Sequence, residues 1–270
     1  MTWQHCKRSF AYTYIDWAHE PFLHKAHDLL ANPAVGPVLY WRMHMEAVIQ
    51  DGESWHATTW RTIPEYQGGF ILDGGVHWAA MLRTVLPKYC KPASIIAVKS
   101  LHRSHILPHD TLVGLVHPDP SATSEPTGLP TTIKADIEAK DMPVEPGKST
   151  PHGSFILSWA APDTPQSGRC PNELYVVAEH GTLRILNKGA KWDVTLTPTD
   201  KSGLEAVHVE GPATGVEQEL IDFGAAVEAA IHGHKDDKPN LADPALALWD
   251  LSFIEAALNS DGQKVEIEKK

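Results

Sequence analysis

From Val38 to Val48 the chain alternates strictly. Leu39, Trp41, Met43, Met45 and Ala47 fall on one side, and Tyr40, Arg42, His44 and Glu46 on the other. Successive side chains of an extended strand point to opposite faces, so this run predicts a long strand with one face for a core and a second, polar face that stays available. Strand-like runs recur at Ser94 to Ser100, Thr111 to Val116, Ser154 to Trp159, Leu174 to Ala178, Thr182 to Leu186 and Trp192 to Leu196. A series of this kind implies mostly antiparallel pairing. Helical spacing brackets the strands. Phe22, Leu23, Ala26, Leu29 and Leu30 mark a surface helix that Asn32-Pro33 stops. Leu220, Phe223, Val227 and Ile231 mark a second between about Val216 and His232, and Pro244 to Leu258 reads as a third. Asp243-Pro244 is a good start for this last helix, because an aspartate N-cap accepts a free amide and proline tolerates the first helical position. It is apolar nearly all round and therefore predicted to be buried. Lys264 to Glu268 closes the chain as an alternating strand. The sum is an α+β fold: an open-faced, predominantly antiparallel sheet with helices packed on one face.

The 270 residues are expected to form a single domain, 1–270, with loop-rich insertions at about 117–152, rich in Pro, Ser and Thr, and at 161–172. A net charge of -11, with no dense Lys/Arg cluster, argues against a nucleic-acid partner. No window approaches the ~18 apolar residues of a membrane span. The first residues lack the apolar run of a secretory signal, so the expected compartment is the cytoplasm. Cys6, Cys90 and Cys170 are odd in number and far apart, which predicts buried, reduced thiols rather than disulfides or a thiolate zinc site.

In "EYQGGFILDGGVHWAAMLRTVLP", residues 65 to 87, Asp73 precedes His77 by four positions. A helix beginning at Gly74 would make Asp73 its N-cap; the same spacing stacks His77 one turn above the carboxylate, as a proton shuttle requires. Spacing alone leaves both readings open. Trp55, Trp60, Tyr66 and Trp78 surround this stretch, either as a core cluster or as a stacking wall, with Arg61 and Gln67 as hydrogen-bonding groups. His102, His105 and His109, like His232 and His234, lack an HExxH helix or an acidic ligand at a defined offset, so no metal is expected. There is no GxSxG elbow, GxGxxG turn or GxxxxGK[ST] loop.

The stretch "WRTIPEYQGGFILDGGVHWAAMLRTVL" resembles the C-terminal domain of the Gfo/Idh/MocA oxidoreductase family, in which a GG followed by D-x-x-x-H opens the helix lining the substrate site. "EPFLHKAHDLLANPAVGPVLYWRMHMEA" is similar to the family's first helix and long strand, and "DPALALWDLSFIEAALNSDGQKVEI" to its closing helix and final strand. Fungal members are the nearest in character. The resemblance implies catalytic roles for Asp73 and His77, with Asp73 orienting the ring, and a substrate-binding surface in which Trp60, Arg61, Tyr66, Gln67 and His44 take part. It implies a homodimer through the open sheet face and a hydroxyl- or carbonyl-bearing small molecule as substrate, a sugar, polyol or secondary metabolite. It also implies a preceding Rossmann domain that binds NAD(P) and carries an EKP lysine. Neither that motif nor a dinucleotide fingerprint occurs here, so no cofactor is expected on this chain alone, and NAD(P) only if another chain supplies the domain. Where the family's junction reads ENyR, "IDWAHEP" places Asp16 near the asparagine and Ala18 near the arginine. A cofactor-independent isomerase, cyclase or lyase using the same pocket, and a non-catalytic dimerising or binding module, are the alternatives.

Overall fold

A computed structural model describes residues 15–54, 56–63, 68–118, 151–232 and 240–268. Among them nine strands form one sheet: β1 Val38–Glu46, β2 Pro92–Ser100, β3 Thr111–Pro118, β4 His152–Ser158, β5 Asn172–Ala178, β6 Gly181–Asn187, β7 Lys191–Pro198, β8 Val207–Pro212 and β9 Lys264–Glu266. Their order is β8-β7-β6-β5-β1-β4-β3-β2-β9. Every pairing is antiparallel except β1 with β4. Parallel neighbours cannot be joined by a hairpin. The chain leaves β1 through α2 Thr59–Thr62 and α3 Phe70–Val85, and returns along β2 and β3 before β4 takes its place beside β1. The helices α1 Pro21–Leu30, α4 Gly215–His232 and α5 Pro244–Ser260 are the other described α-helices, and short 3₁₀ turns lie between the elements. The expected α+β fold, with an open and mostly antiparallel sheet, is what the chain forms.

One face of the sheet carries the core. Trp41, Met43, Met45, Phe155, Leu157, Leu174, Val176, Ile185 and Val194 bury against Leu23 and Leu30 of α1, Met81, Leu82 and Val85 of α3, and Phe253 and Ile254 of α5. The register places Val98, Val113, Ile156, His44 and Glu173 in one row across the other face, and Ile96, Leu115, Ser154, Arg42, Tyr175 and Arg184 in the next. Leu39, expected in the core, is exposed beside Tyr40 because a bulge between Val38 and Tyr40 interrupts the alternation. The edge strand β8 has no counterpart in the sequence reading: its short "VHVEGP" carries charged and small residues, as edge strands do.

The helix junctions explain how distant segments are held. Glu20 is buried, yet its carboxylate accepts from the N–H groups of Phe22, Thr214 and Gly215, so one side chain caps the starts of both α1 and α4. Burial pushes its pKa up, and these amide donors oppose that. Asp243 caps α5 as expected, accepting from the Ala245 N–H at 2.9 Å. Arg83 and Asp250 tie α3 to α5 through two hydrogen bonds of 2.9 Å each. Of the two insertions, 119–150 lies outside the described residues, and 161–172 is a loop with one 3₁₀ turn, Gln166–Gly168. No helix among the described residues is long and apolar enough to cross a membrane.

Candidate active site

The helix α3 begins at Phe70, four residues before the expected start, and its N-cap is Gly69. Gly69 has φ +80, and a Cβ there would meet Leu107 O at 2.7 Å, so only glycine fits this entry. Asp73 is therefore inside the first turn and is not the cap. The two glycines that follow it serve packing: a Cβ on Gly74 would come within 2.4 Å of the Trp159 ring, and one on Gly75 within 2.7 Å of Ile254 Cδ1. They let α3 approach the end of β4 and α5 closely.

Asp73 and His77 do not pair with each other as expected. Asp73 Oδ2 accepts from Arg61 Nε at 2.7 Å, and Arg61 also donates through Nη1 to Thr58 Oγ1 at 2.9 Å. His77 Nδ1 instead lies 2.9 Å from Asp16 Oδ1, somewhat off the axis of an ideal hydrogen bond. The Arg61 cation held beside Asp73 neutralises the carboxylate that the family resemblance pairs with the imidazole. Asp16 comes from the 3₁₀ turn Asp16–His19, which precedes α1.

That turn is pinned from several sides. The Ile15 N–H donates to Glu219 Oε1 at 3.1 Å, and His19 Nδ1 lies 2.7 Å from Asp222 Oδ2, both acceptors on α4. His24 Nε2 reaches the Ala18 carbonyl at 2.8 Å. Gly215 passes so close that a Cβ would stand 2.5 Å from Asp16 O. Trp17 supplies the apolar backing, with its ring centroid 5.7 Å from His77, 5.1 Å from Trp78 and 4.9 Å from Trp192. Asp16 and His77 are both partly open to solvent, whereas Glu219 behind them is buried. Burial pushes the Glu219 pKa up to about 7; the nearby Asp16 and Asp222 carboxylates add to the rise, while the Ile15 amide and His77 oppose it.

The other expected site residues are dispersed. Arg61 is buried and stacks over the exposed Trp60, 4.0 Å from the ring centroid, so its charge is used by Asp73 and its plane by Trp60. Trp78 is a core residue. Trp55, Tyr66 and Gln67 lie outside the described residues. His44 is on the open face of the sheet, opposite the helices that carry His77, so it does not share a site with that ring. A groove of about 630 Å³ occupies this open face, lined by Arg42, His44, Ile156, Cys170, Glu173 and Arg184 among others. Sequence spacing could not reveal Asp16, Trp17 or Glu219, because each belongs to a different element from His77. Only the junction "IDWAHEP" carried a sign of Asp16.

No model of a known protein family matches the chain. It is structurally similar, over 95% of its length, to Gfo/Idh/MocA-type oxidoreductases. An oxidoreductase from Thermotoga maritima superposes with a TM-score of 0.68 at 22% identity, the match covering 95% of this chain and 62% of that one. An inositol dehydrogenase homologue from Azotobacter vinelandii, complexed with NAD+, gives 0.64 at 13% identity over 94% and 64% of the two chains. A levoglucosan dehydrogenase in complex with NADH and levoglucosan gives 0.63 at 13% identity over 96% and 67%. These likenesses define the fold. In sequence, the chain is 35% identical over 82 residues to the dehydrogenase FPY6 of Fusarium mangiferae, covering 30% of this chain and 24% of that protein. It is 30% identical over 263 residues to the uncharacterised protein YMR315W of Saccharomyces cerevisiae, covering 94% of this chain and 63% of that protein. The chain thus spans less than two thirds of the length of either relative.

The glycines at the start of α3 do not form a cradle for the phosphates of a dinucleotide. A phosphate cradle needs glycines whose open side faces a ligand at a helix start. At the start of α3 the open sides of Gly69, Gly74 and Gly75 face Leu107, Trp159 and Ile254.

Proposed function

We propose that the chain supplies the substrate-binding and proton-transfer part of an oxidoreductase that acts on a hydroxyl or carbonyl group of a sugar, polyol or similar small molecule. The observation that carries this reading is the His77 imidazole with the Asp16 carboxylate 2.9 Å from Nδ1. A carboxylate on one ring nitrogen orients the ring and leaves the other, Nε2, to exchange a proton with substrate. His77 is the acid or base, and Asp16 takes the orienting role that the family resemblance implies for Asp73. The Trp17 face backs the imidazole and keeps one side of it dry. Asp73, fixed by Arg61, holds the start of α3 in place. The sugar and polyol dehydrogenases that share the fold support the substrate class. NAD(P) would be held by a Rossmann domain supplied by another chain, where it would supply hydride chemistry.

The open face of the sheet is proposed as the surface for a second copy of the chain. Val98, Val113, Leu115 and Ile156 form a contiguous exposed apolar patch across β2, β3 and β4. A two-fold axis would lay the same rows against each other, as isologous dimers require.

The substrate reading is tested by titrating the purified chain with a panel of sugars and polyols while following imidazole resonances by NMR. A member of the panel is expected to shift the resonance that disappears in His77→Gln. Saturable binding that leaves that resonance untouched would remove His77 from the site.

A further inference from the structure

We propose that His44, Glu46 and Cys170 supply three ligands of a zinc site on the open face of the sheet. The three ligand atoms all lie within 4.8 Å of one another. His44 and Glu46 stand two apart on β1 and therefore share a face. They are placed firmly, because β1 is a central strand paired on both sides. Cys170 lies just before β5, and that segment is tied to β1 at the same level: Asn172 Oδ1 accepts from the Glu46 N–H at 2.8 Å, and His44 stands opposite Glu173 in the ladder.

The geometry comes close to what zinc requires. With Zn–N and Zn–O near 2.0–2.2 Å and Zn–S near 2.3 Å, neighbouring donors in a tetrahedral site are about 3.3–3.7 Å apart. His44 Nε2 is already 3.1 Å from Glu46 Oε1. The same nitrogen is shielded from water and makes no aligned hydrogen bond, so a metal would satisfy it. The exposed Cys170 needs only a small shift of its loop to complete the set. One imidazole, one carboxylate and one thiolate are a borderline-soft combination that suits zinc and disfavours magnesium or calcium. On binding, the Cys170 thiol gives its proton to solvent and the thiolate becomes the ligand. The neighbouring carboxylate of Glu173 is taken by Arg42 at 3.0 Å and Arg184 at 2.7 Å, which leaves Glu46 as the acidic ligand.

A second cluster of the right residue types, Asp193, His208 and Glu210, is different in kind. Lys188 Nζ sits 2.7 Å from Asp193 Oδ2, so a cation of the protein already occupies it. His105 and His56 are likewise engaged, with their Nε2 atoms on the backbone carbonyls of Ile49 and His105.

The test uses the full chain, stripped with chelator and titrated with Co2+ and then Zn2+. One equivalent of Co2+ is expected to give thiolate-to-cobalt charge-transfer absorption in the near ultraviolet, and Zn2+ to abolish it. Cys170→Ser, a mild change in an exposed loop, should eliminate that absorption. In competition with a chromophoric chelator it should weaken zinc binding by more than the roughly 10- to 100-fold that loss of an outer-shell partner costs. His44→Ala should weaken it similarly, while Cys6→Ser and Asp193→Asn should behave as wild type. Circular dichroism checks that each variant is folded. The proposal is overturned if no equivalent of metal binds, if Co2+ binds without the thiolate absorption, or if Cys170→Ser and His44→Ala retain wild-type zinc affinity. None of these outcomes bears on the role of His77.

Discussion

His77 Nδ1 stands 2.9 Å from Asp16 Oδ1, although the two residues belong to different elements and the sequence gives His77 a nearer carboxylate in Asp73. The arrangement follows from Arg61. Its Nε takes Asp73 at 2.7 Å, which leaves the imidazole to the 3₁₀ turn that α4 presses against α3. The two aspartates therefore have separate consequences when changed.

Asp73 and Arg61 are expected to act on stability. Asp73→Ala removes the charged acceptor of the buried Arg61 Nε, while Thr58 and Trp60 still engage the guanidinium, and should cost about 1–3 kcal/mol. Urea unfolding of wild type, Asp73→Ala, Arg61→Ala and the double variant forms the cycle. Coupling near zero between the two positions would contradict the assignment.

Gly74→Ala should destabilise the protein, although alanine is the better helix former by ~1 kcal/mol. The added Cβ would meet the Trp159 ring at 2.4 Å, and overpacking of this kind costs about 1–3 kcal/mol. Thermal unfolding decides the sign. A raised Tm would mean that α3 does not lie this close to the end of β4.

Glu219 predicts a pH dependence of stability. Its pKa is pushed up to about 7 from 4.5, mainly by burial, so between these values the folded chain holds a proton that the unfolded chain has released. The stabilising contribution is present below about pH 4.5 and is lost as pH rises through about 7. Its size is on the order of 1–3 kcal/mol. Glu219→Gln should flatten the fall in stability between pH 5 and 8, measured as the difference in urea midpoints. Parallel curves for variant and wild type would contradict this.

The dimer surface is tested by Leu115→Lys, which places a charge in the middle of the exposed patch on β3. Sedimentation should show a dimer for wild type and a monomer for the variant. A wild-type monomer at high protein concentration would remove the open face as an interface.

Much of the fold is legible in the chain. The alternation in β1, the strand runs from β2 to β7 and the Asp243-Pro244 start of α5 are local patterns, and the structure keeps each of them. The exceptions have physical causes. Leu39 turns outward at a bulge, β8 offers only Val207 and Val209 as strand-forming apolar residues, and α3 starts early because Gly69, at φ +80 and close against Leu107 O, makes the helix entry. The site is less legible because its partners are tertiary. His77 was found from its own stretch, but its carboxylate lies before α1 and the buried acid behind it on α4. Cys170 likewise meets His44 and Glu46 only through the pairing of β1 with β5.

The most direct test of the central claim is NAD(P)-dependent turnover of the sugar and polyol panel. It compares wild type with His77→Ala, Asp16→Asn and Asp73→Asn, each assayed together with a polypeptide that carries a dinucleotide-binding domain. His77→Ala is expected to lower kcat by about 10²- to 10⁴-fold, the usual contribution of a general acid or base. Asp16→Asn should lower kcat in the same direction, and Asp73→Asn should leave kcat near wild type once the variant is folded. Unchanged turnover in His77→Ala, or a loss in Asp73→Asn that Asp16→Asn does not share, would contradict the account.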